Sequence, residues 1–373
     1  MRVVVTGGGS GGHIYPALAI ARGLIALDPH AKILYLGTNH GLEHDLVPRE
    51  NLVFRTIHAR GLLVPGLTGK ALGVLQACIG LVESWGEMRV FKPDVVIGTG
   101  GYVSGPVGLA AGLMGIPLII QEQNAWPGLT NRRLAKKASM VFVPFEEAIR
   151  HFPPQTRVVV SGNPVDPPKP LLDRARARQS LGLDNKVRLL MATGGSQGAE
   201  AINRLMLDIL ALMANDATLG AIWATGRRYY ETVREEIRRR FPEGLDENRI
   251  RVVEYFYQIA TAYQACDLFV GRAGAMTTAD CQAFSVPMIL IPSPHVSEDH
   301  QTKNAEALAR RGAAVVLPEA DIAQRTSDVI DLLKNPVQLG AMAEKAATLY
   351  DPQALMRIVT KVRQLAGGEE ADK

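Results

Sequence analysis

RVVVTGGGSGGHIYPALAIA, residues 2–21, runs from an apolar strand through a glycine-rich turn into an apolar helix. That is the opening of a wound α/β unit, in which a parallel strand feeds a crossover helix. Gly7, Gly8, Gly9, Gly11 and Gly12 leave the turn almost bare of side chains. Its backbone N–H groups can therefore approach an anion at the positive end of the helix. His13 stands where the helix begins, and an imidazole beside such a cradle either binds or moves a proton. The plainer reading is a tight strand-to-helix turn with a chance histidine.

The rhythm continues outward. Ile33–Gly37 and Leu52–Ile57 read as strands, and Thr68–Phe91 as a helix. Asp94–Gly98 is a strand, Gly105–Gly115 a helix and Pro117–Gln121 a strand; Met140–Val143 and Val158–Ser161 are further short strands. Alternation of this kind predicts an α/β fold with a parallel sheet covered on both faces. Pro164–Asp184 interrupts it with four prolines close together and reads as an inter-domain linker. Val187–Met206, VRLLMATGGSQGAEAINRLM, then repeats the opening layout. Strands are expected at Ala221–Ala224, Ile250–Val253, Leu268–Val270, Met288–Ile291 and Ala314–Leu317, followed by a helix over Pro352–Ala366 and a frayed tail, GGEEADK. The predicted domains are residues 1–163 and 164–351, two doubly wound lobes that bind ligands in the cleft at the carboxyl ends of their strands.

The bulk composition agrees. With 373 residues, 47% hydrophobic and 21% charged, the chain has an ordinary globular balance and length for two domains. Cys78, Cys266 and Cys281 show no metal-ligand spacing and read as buried thiols in a reducing compartment. Residues 1–163 hold 15 Lys/Arg against 10 Asp/Glu, and the remainder 26 against 27. The first lobe thus faces the more anionic partner, but the excess is too mild for nucleic acid. With a strand starting at Arg2, no signal peptide is expected. The uncharged run between Asp94 and Glu122 is broken by glycines and prolines, so no transmembrane segment is expected.

Gly7, Gly9 and Gly12 fit the dinucleotide fingerprint, which also needs an acidic residue after the second strand. That strand ends Leu36-Gly37-Thr38-Asn39, which disfavours a nicotinamide enzyme. Two more glycine loops follow strands, GTGGYVSGP (Gly98–Pro106) and GGSQGA (Gly194–Ala199). Three cradles suggest two anionic ligands, or one with several phosphates, although at least one is expected only to pack a helix against a strand. The polar trio Glu122, Gln123 and Asn124 follows an apolar strand, either lining a cleft or capping the next helix. GRAGAMTTAD (Gly271–Asp280) and SPHVSEDHQTKNAEAL (Ser293–Leu308) offer the hydroxyls, amides and carboxylate that suit a ribose and a hexose.

Taken in order, GGGSGGHIYPALAIA, GTGGYVSGP, EQN, SGNPV, GGSQGA, RAGAMT and HQTKNA resemble the MurG family of GT-B glycosyltransferases over nearly the whole chain. The resemblance implies two Rossmann-like lobes facing a deep cleft, with helix 352–366 returning to the first. It implies transfer of N-acetylglucosamine from UDP-N-acetylglucosamine to the 4-hydroxyl of the undecaprenyl-pyrophosphate-linked muramyl-pentapeptide (lipid I), in peptidoglycan synthesis at the cytoplasmic face of the bacterial plasma membrane. No metal or cofactor is implied. Carried over by motif, Ser10, Gly11, Gly12, Asn124, Ser196, Phe256, Ala275, Met276, Thr277, Asp280 and Gln301 bind the donor. Gly9, Gly100, Gly101, Tyr102 and Ser104 face the acceptor pyrophosphate. His13 is a base or positioning group, and Glu122 supports it. Asp94, His295 and His300 are weaker candidates for the base. Backbone amides at Ser196–Ala199 and Gly274–Met276 would neutralise the leaving diphosphate.

Three positions depart from the pattern. Asp166 stands where the family often has Arg, Asp280 where it often has Glu, and SEDHQTKNA is poorer in aromatics. Leu72, Leu75, Ile79, Val82 and Trp85, flanked by Lys70, Arg89 and Lys92, read either as an interfacial surface for anionic lipid or as an ordinary buried amphipathic helix. The rival readings are a transferase acting on diacylglycerol, a UDP-sugar epimerase and a catalytically silent nucleotide-binding module.

Overall fold

The structure, a computed structural model, describes residues 1–61, 67–168, 170–294 and 299–367. Two compact units divide it: residues 1–166 with the segment from Asp351 onward, and residues 167–350.

The first unit begins with β1 (Arg2–Thr6), α1 (Gly11–Leu27), β2 (Lys32–Gly37), α2 (Leu42–Leu46) and β3 (Val53–Thr56). It continues with α3 (Leu67–Phe91), β4 (Val95–Gly98), α4 (Gly101–Met114) and β5 (Leu118–Gln121). α5 (Leu129–Leu134), β6 (Met140–Val143) and β7 (Val158–Val160) complete its sheet. The strands pair in parallel in the order β3-β2-β1-β4-β5-β6-β7. Val3–Val5, Val95–Ile97 and Leu118–Ile120 are completely buried, as strands covered by helices on both faces must be. The order reverses between β1 and β4, so the loops leaving these two strands lie side by side in the crevice at their carboxyl ends.

The second unit holds α6 (Arg174–Ser180), β8 (Arg188–Thr193), α7 (Glu200–Met213), β9 (Leu219–Ala224) and α8 (Tyr230–Arg240). β10 (Ile250–Val253), α9 (Ile259–Ala265), β11 (Leu268–Gly271), α10 (Ala275–Ala283) and β12 (Met288–Leu290) follow. α11 (His300–Arg310), β13 (Ala314–Val316), α12 (Thr326–Leu333) and α13 (Pro336–Thr348) close it. Its parallel sheet runs β10-β9-β8-β11-β12-β13 and reverses between β8 and β11. At the amino ends of these strands Arg178 and Asp267, each 5% exposed, pair at 2.7 Å. The same carboxylate accepts the Leu189 N–H at 2.7 Å, and Arg178 donates to the carbonyls of Ala265, Asn185 and Val187.

α14 (Ala354–Ala366) packs on α1 of the first unit. Ile358, Val359 and Val362 are completely buried, each worth about 1.5–3 kcal/mol relative to exposure. Gly23 of α1 admits this contact, since a Cβ there would already lie 3.0 Å from Val359 Cγ1.

Three expectations need correction. Cys78 is exposed, and only Cys266 and Cys281 are buried. The helix expected from Gly105 begins at Gly101, because α4 tolerates Pro106 in its interior. The proline-rich stretch contains α6, whose first turn is capped by the Asp173 carboxylate accepting Arg176 N–H at 2.8 Å. The end of the tail, residues 368–373, lies outside the described residues.

Candidate active site

The loops leaving β1, β4 and β5 of the first unit meet around His13. Its Nδ1 lies 3.1 Å from the Thr99 carbonyl and 3.0 Å from Gln123 Oε1. Thr99 in turn donates its hydroxyl to the His13 carbonyl at 2.6 Å. Two glycines make the approach possible. Gly100 (φ 111°) would place a Cβ 2.8 Å from His13 Nδ1, and Gly101 (φ 80°) would drive one into the Gly8 carbonyl oxygen. The first two glycine loops are thus one construction, tied also by Gly8 N–H to Gly100 O at 3.4 Å.

Glu43 holds that construction from beneath. It is completely buried and accepts the Thr38 hydroxyl at 2.6 Å, the Thr38 N–H at 3.2 Å and the Gly9 N–H at 3.2 Å. Tyr35 donates to the Gly7 carbonyl at 2.6 Å; burial, and then the Glu43 charge, push its hydroxyl well above the ordinary tyrosine range. Tyr102 borders Gly9, and burial raises its hydroxyl too. The carboxylate missing directly after β2 is therefore present in α2, but it faces the loop and uses the Gly9 amide. The signal lay in LEHDLV, where Glu43 shares a helix face with Leu46 and Val47, both buried.

The remaining first-unit residues divide between surface and support. Ser10 and Gly12 are exposed and Gly11 partly so, at the start of α1, where Ser10 takes the His13 and Ile14 N–H groups on its carbonyl. Ser104 is completely buried, and its hydroxyl accepts Gly100 N–H at 3.1 Å while lying 2.8 Å from Gly100 O. Glu122, 1% exposed, accepts five donors: the N–H groups of Gln123, Asn124 and Gly128, and the side-chain amides of Asn124 and Asn131. It organises the β5–α5 loop, while Gln123 is the residue that meets His13. Asp166 pairs with Arg22 of α1 at 3.0 Å. Asp94 caps the Arg2 N–H at 2.7 Å, at the end of the sheet opposite the glycine loops. His295 and the His300 side chain lie outside the described residues.

In the second unit the turns after β8 and β11 are neighbours, since the two strands pair. Gly195 N–H donates to Thr193 Oγ1 at 3.1 Å and Gly198 N–H to the Gly195 carbonyl at 3.0 Å, leaving Ser196 partly exposed at the tip. Buried Asn203 fixes α7 to β9, donating to the Thr225 carbonyl at 3.0 Å and accepting Trp223 Nε1–H at 3.1 Å. Gly274 caps α10. Ala275, Thr277 and Asp280 are partly exposed, whereas Met276 is buried. Arg272 ties this turn to the end of β12 through the Ile291 and Pro292 carbonyls and pairs with Glu319. Gln301 Oε1 accepts the Ser293 N–H at 2.9 Å, and Phe256 is partly buried after β10. Each unit therefore places two helix N-termini, with their free N–H groups and positive dipole ends, at its point of strand reversal. A cavity of about 290 Å³ lies elsewhere, against α12 and the β12–β13 edge, and no predicted site residue lines it. Among the described residues no group of three His, Cys, Asp or Glu side chains clusters as metal ligands would.

Two wound parallel sheets with glycine-rich turns at their reversal points describe the GT-B fold. The N-terminal domain of glycosyltransferase family 28 matches residues 3–143, and its C-terminal domain matches residues 189–358. A UDP-N-acetylglucosamine–N-acetylmuramyl-(pentapeptide) pyrophosphoryl-undecaprenol N-acetylglucosamine transferase of Moorella thermoacetica is 44% identical over 96% of this chain and 97% of its own. The transferase of the same name from Symbiobacterium thermophilum is 42% identical over 98% of this chain and 96% of its own. The crystal structure of Acinetobacter baumannii MurG superposes with a TM-score of 0.71 at 29% identity, covering 97% of this chain and 99% of that one. The chain belongs to this family, the MurG N-acetylglucosaminyltransferases.

Proposed function

We infer that the chain transfers N-acetylglucosamine from UDP-N-acetylglucosamine to lipid I, with inversion, to give lipid II in peptidoglycan synthesis. The near-full-length likeness to transferases of that name carries the reaction. The observation that carries the mechanism is His13, seated where three loops converge with one ring nitrogen turned toward carbonyl oxygens.

In this reading His13 Nε2 takes the proton of the muramyl 4-hydroxyl as its oxygen attacks the anomeric carbon. The bond to UDP breaks, the electron pair leaves with the diphosphate, and the α-linked donor becomes a β-linked product. The transition state is oxocarbenium-like. The second unit binds the donor: Phe256 by the uracil, Ser196 and the amides at the N-termini of α7 and α10 at the diphosphate, and Thr277, Asp280 and Gln301 at ribose and hexose. These amides are held by the fold before the ligand arrives, which is what stabilisation of developing charge requires. The first unit binds the acceptor, with Gly9, Gly100, Gly101 and Tyr102 at its pyrophosphate. Ser10, Gly11, Gly12 and Asn124 contact the donor sugar. Ser104 and Glu122 act through the loops they fix.

The first unit also meets the membrane. Leu75 is 56% exposed and Val82 72%, on the same helix as exposed Leu72, Ile79 and Trp85, and Arg89 and Lys92 are exposed at its end. Among the described residues no helix is long and apolar enough to cross a bilayer. An apolar face with basic flanks suits peripheral binding at an anionic surface, on the cytoplasmic face where a UDP-sugar is found.

Radiolabelled transfer from UDP-N-acetylglucosamine to lipid I, set against diacylglycerol, tests the reaction. Product on diacylglycerol alone would overturn it, and UDP release without any acceptor would favour an epimerase. Undiminished turnover by His13→Ala at saturating substrates would remove the base role.

A further inference from the structure

Asn163, Gln121, Gln123 and His13 lie in one line of hydrogen bonds. Asn163 Nδ2 donates to the Gln123 carbonyl at 3.1 Å. Gln121 Nε2 donates to the Glu122 carbonyl at 2.9 Å and lies 3.5 Å from Asn163 Oδ1, which leaves Gln121 Oε1 as the end facing Gln123. Gln123 Nε2 is surrounded by three oxygens: Gln121 Oε1 at 2.6 Å, Thr99 O at 2.8 Å and Gln121 O at 3.0 Å. Turned over, the Gln123 amide would set its own oxygen against all three. Its Oε1 therefore faces His13 Nδ1, beside the Thr99 carbonyl. Gln121 and Gln123, the middle of the line, are both buried, so water does not compete for their amides. Two carbonyl oxygens against one ring nitrogen require that nitrogen to carry the proton.

We propose that Gln123, oriented by Gln121 and the Thr99 carbonyl, is a positioning residue that fixes His13 as the Nδ1–H tautomer and so presents the Nε2 lone pair to the acceptor hydroxyl. The proposal rests on the base role given to His13 above. When Nε2 takes the hydroxyl proton, the new C–O bond forms and the bond to UDP breaks; the Nδ1 proton stays, and its growing positive charge meets Gln123 Oε1 and Thr99 O. An amide cannot take that proton from the ring, so the imidazolium is left to return one proton to solvent from Nε2. The line starts at Asn163 of the SGNPV motif, three residues before the first unit ends at Asp166.

Histidine-¹⁵N-labelled enzyme tests this directly, with the His13 resonances assigned by their loss in His13→Ala. The native ring is expected to show Nδ1 protonated and Nε2 bare at pH 8. Gln123→Met leaves Nδ1 with the Thr99 carbonyl alone and is expected to raise the share of the Nε2–H tautomer above that of the native ring, with kcat down at least tenfold and the KM for UDP-N-acetylglucosamine within twofold. Gln121→Met is expected to lose less, because Gln123 Nε2 keeps two backbone carbonyls. A native ring with its proton on Nε2 would overturn the proposal, as would a Gln123→Met enzyme unchanged in both tautomer and kcat. Full activity in His13→Ala would overturn the base role alone and leave the tautomer assignment standing.

Discussion

Gly100→Ala separates backbone strain from damage to the imidazole. Gly100 has φ 111° and ψ −170°, a region populated almost only by glycine, and a side chain there costs about 1–3 kcal/mol. In a domain of this size each kcal/mol lowers Tm by about 2–4 °C, so a cost near 2 kcal/mol predicts a drop of roughly 4–8 °C. The added methyl would also lie 2.8 Å from His13 Nδ1 and 3.0 Å from its Cε1, against 3.4 Å for ordinary contact. The ring must give by about 0.6 Å, which stretches its bonds to Thr99 and Gln123 beyond useful range. Misplacement of a catalytic group on this scale costs up to about 100-fold in rate. The assay is steady-state transfer to a lipid I analogue beside a thermal melt: kcat should fall about 30- to 100-fold while the KM for UDP-N-acetylglucosamine moves less than twofold. Gly115→Ala is the control. Gly115 also has positive φ (70°), but a Cβ there meets nothing within 4 Å. It should lose about 1–2 kcal/mol of stability and no kcat. A Gly100→Ala enzyme with native kcat, or a Gly115→Ala enzyme equally impaired, would refute the reasoning.

Asp267→Asn should destabilise the second unit by about 3–5 kcal/mol in urea unfolding, because it strands the Arg178 guanidinium without its buried counter-charge. Alkylation by iodoacetamide at pH 8 should modify one cysteine, Cys78; burial pushes the Cys266 thiol up to about 12 and the Cys281 thiol well above its ordinary range, so both stay protonated and shielded. Val82→Glu should weaken flotation with anionic vesicles by about tenfold while turnover on a soluble acceptor analogue is unchanged; equal flotation would dismiss the apolar face of α3 as the contact.

The alternation of apolar strands and helices made both sheets legible, since a parallel strand buried on two faces has a nearly continuous apolar run, as in VVV at residues 3–5. The glycine loops were legible as close approaches, but not what approached. Gly100 is glycine because of an imidazole 87 residues earlier in the chain, and only the β1–β4 pairing makes them neighbours. Glu43 belongs to no motif, and its burial depends on Thr38 and Gly9 supplying donors, which only the folded loop brings to it. Cys78 is exposed because much of the apolar surface of α3 faces outward, which the absence of metal-ligand spacing does not reveal.

The choice between Glu122 and Gln123 as the partner of His13 turns on a rule visible in the sequence. Side chains alternate across a strand, so Gln121 and Gln123 share one side as the chain leaves β5 and Glu122 takes the other. The family resemblance points to the carboxylate; alternation favours the amide, and the contacts follow alternation. The chemistry gains from this. A carboxylate on Nδ1 would hold the imidazolium as an ion pair, whereas an amide orients the ring without holding its charge. The inverting step asks His13 to accept one proton per turnover and give it up to solvent before the next. A neutral partner suits a base that must be reset, and a buried glutamate with five neutral donors suits a loop that must not move.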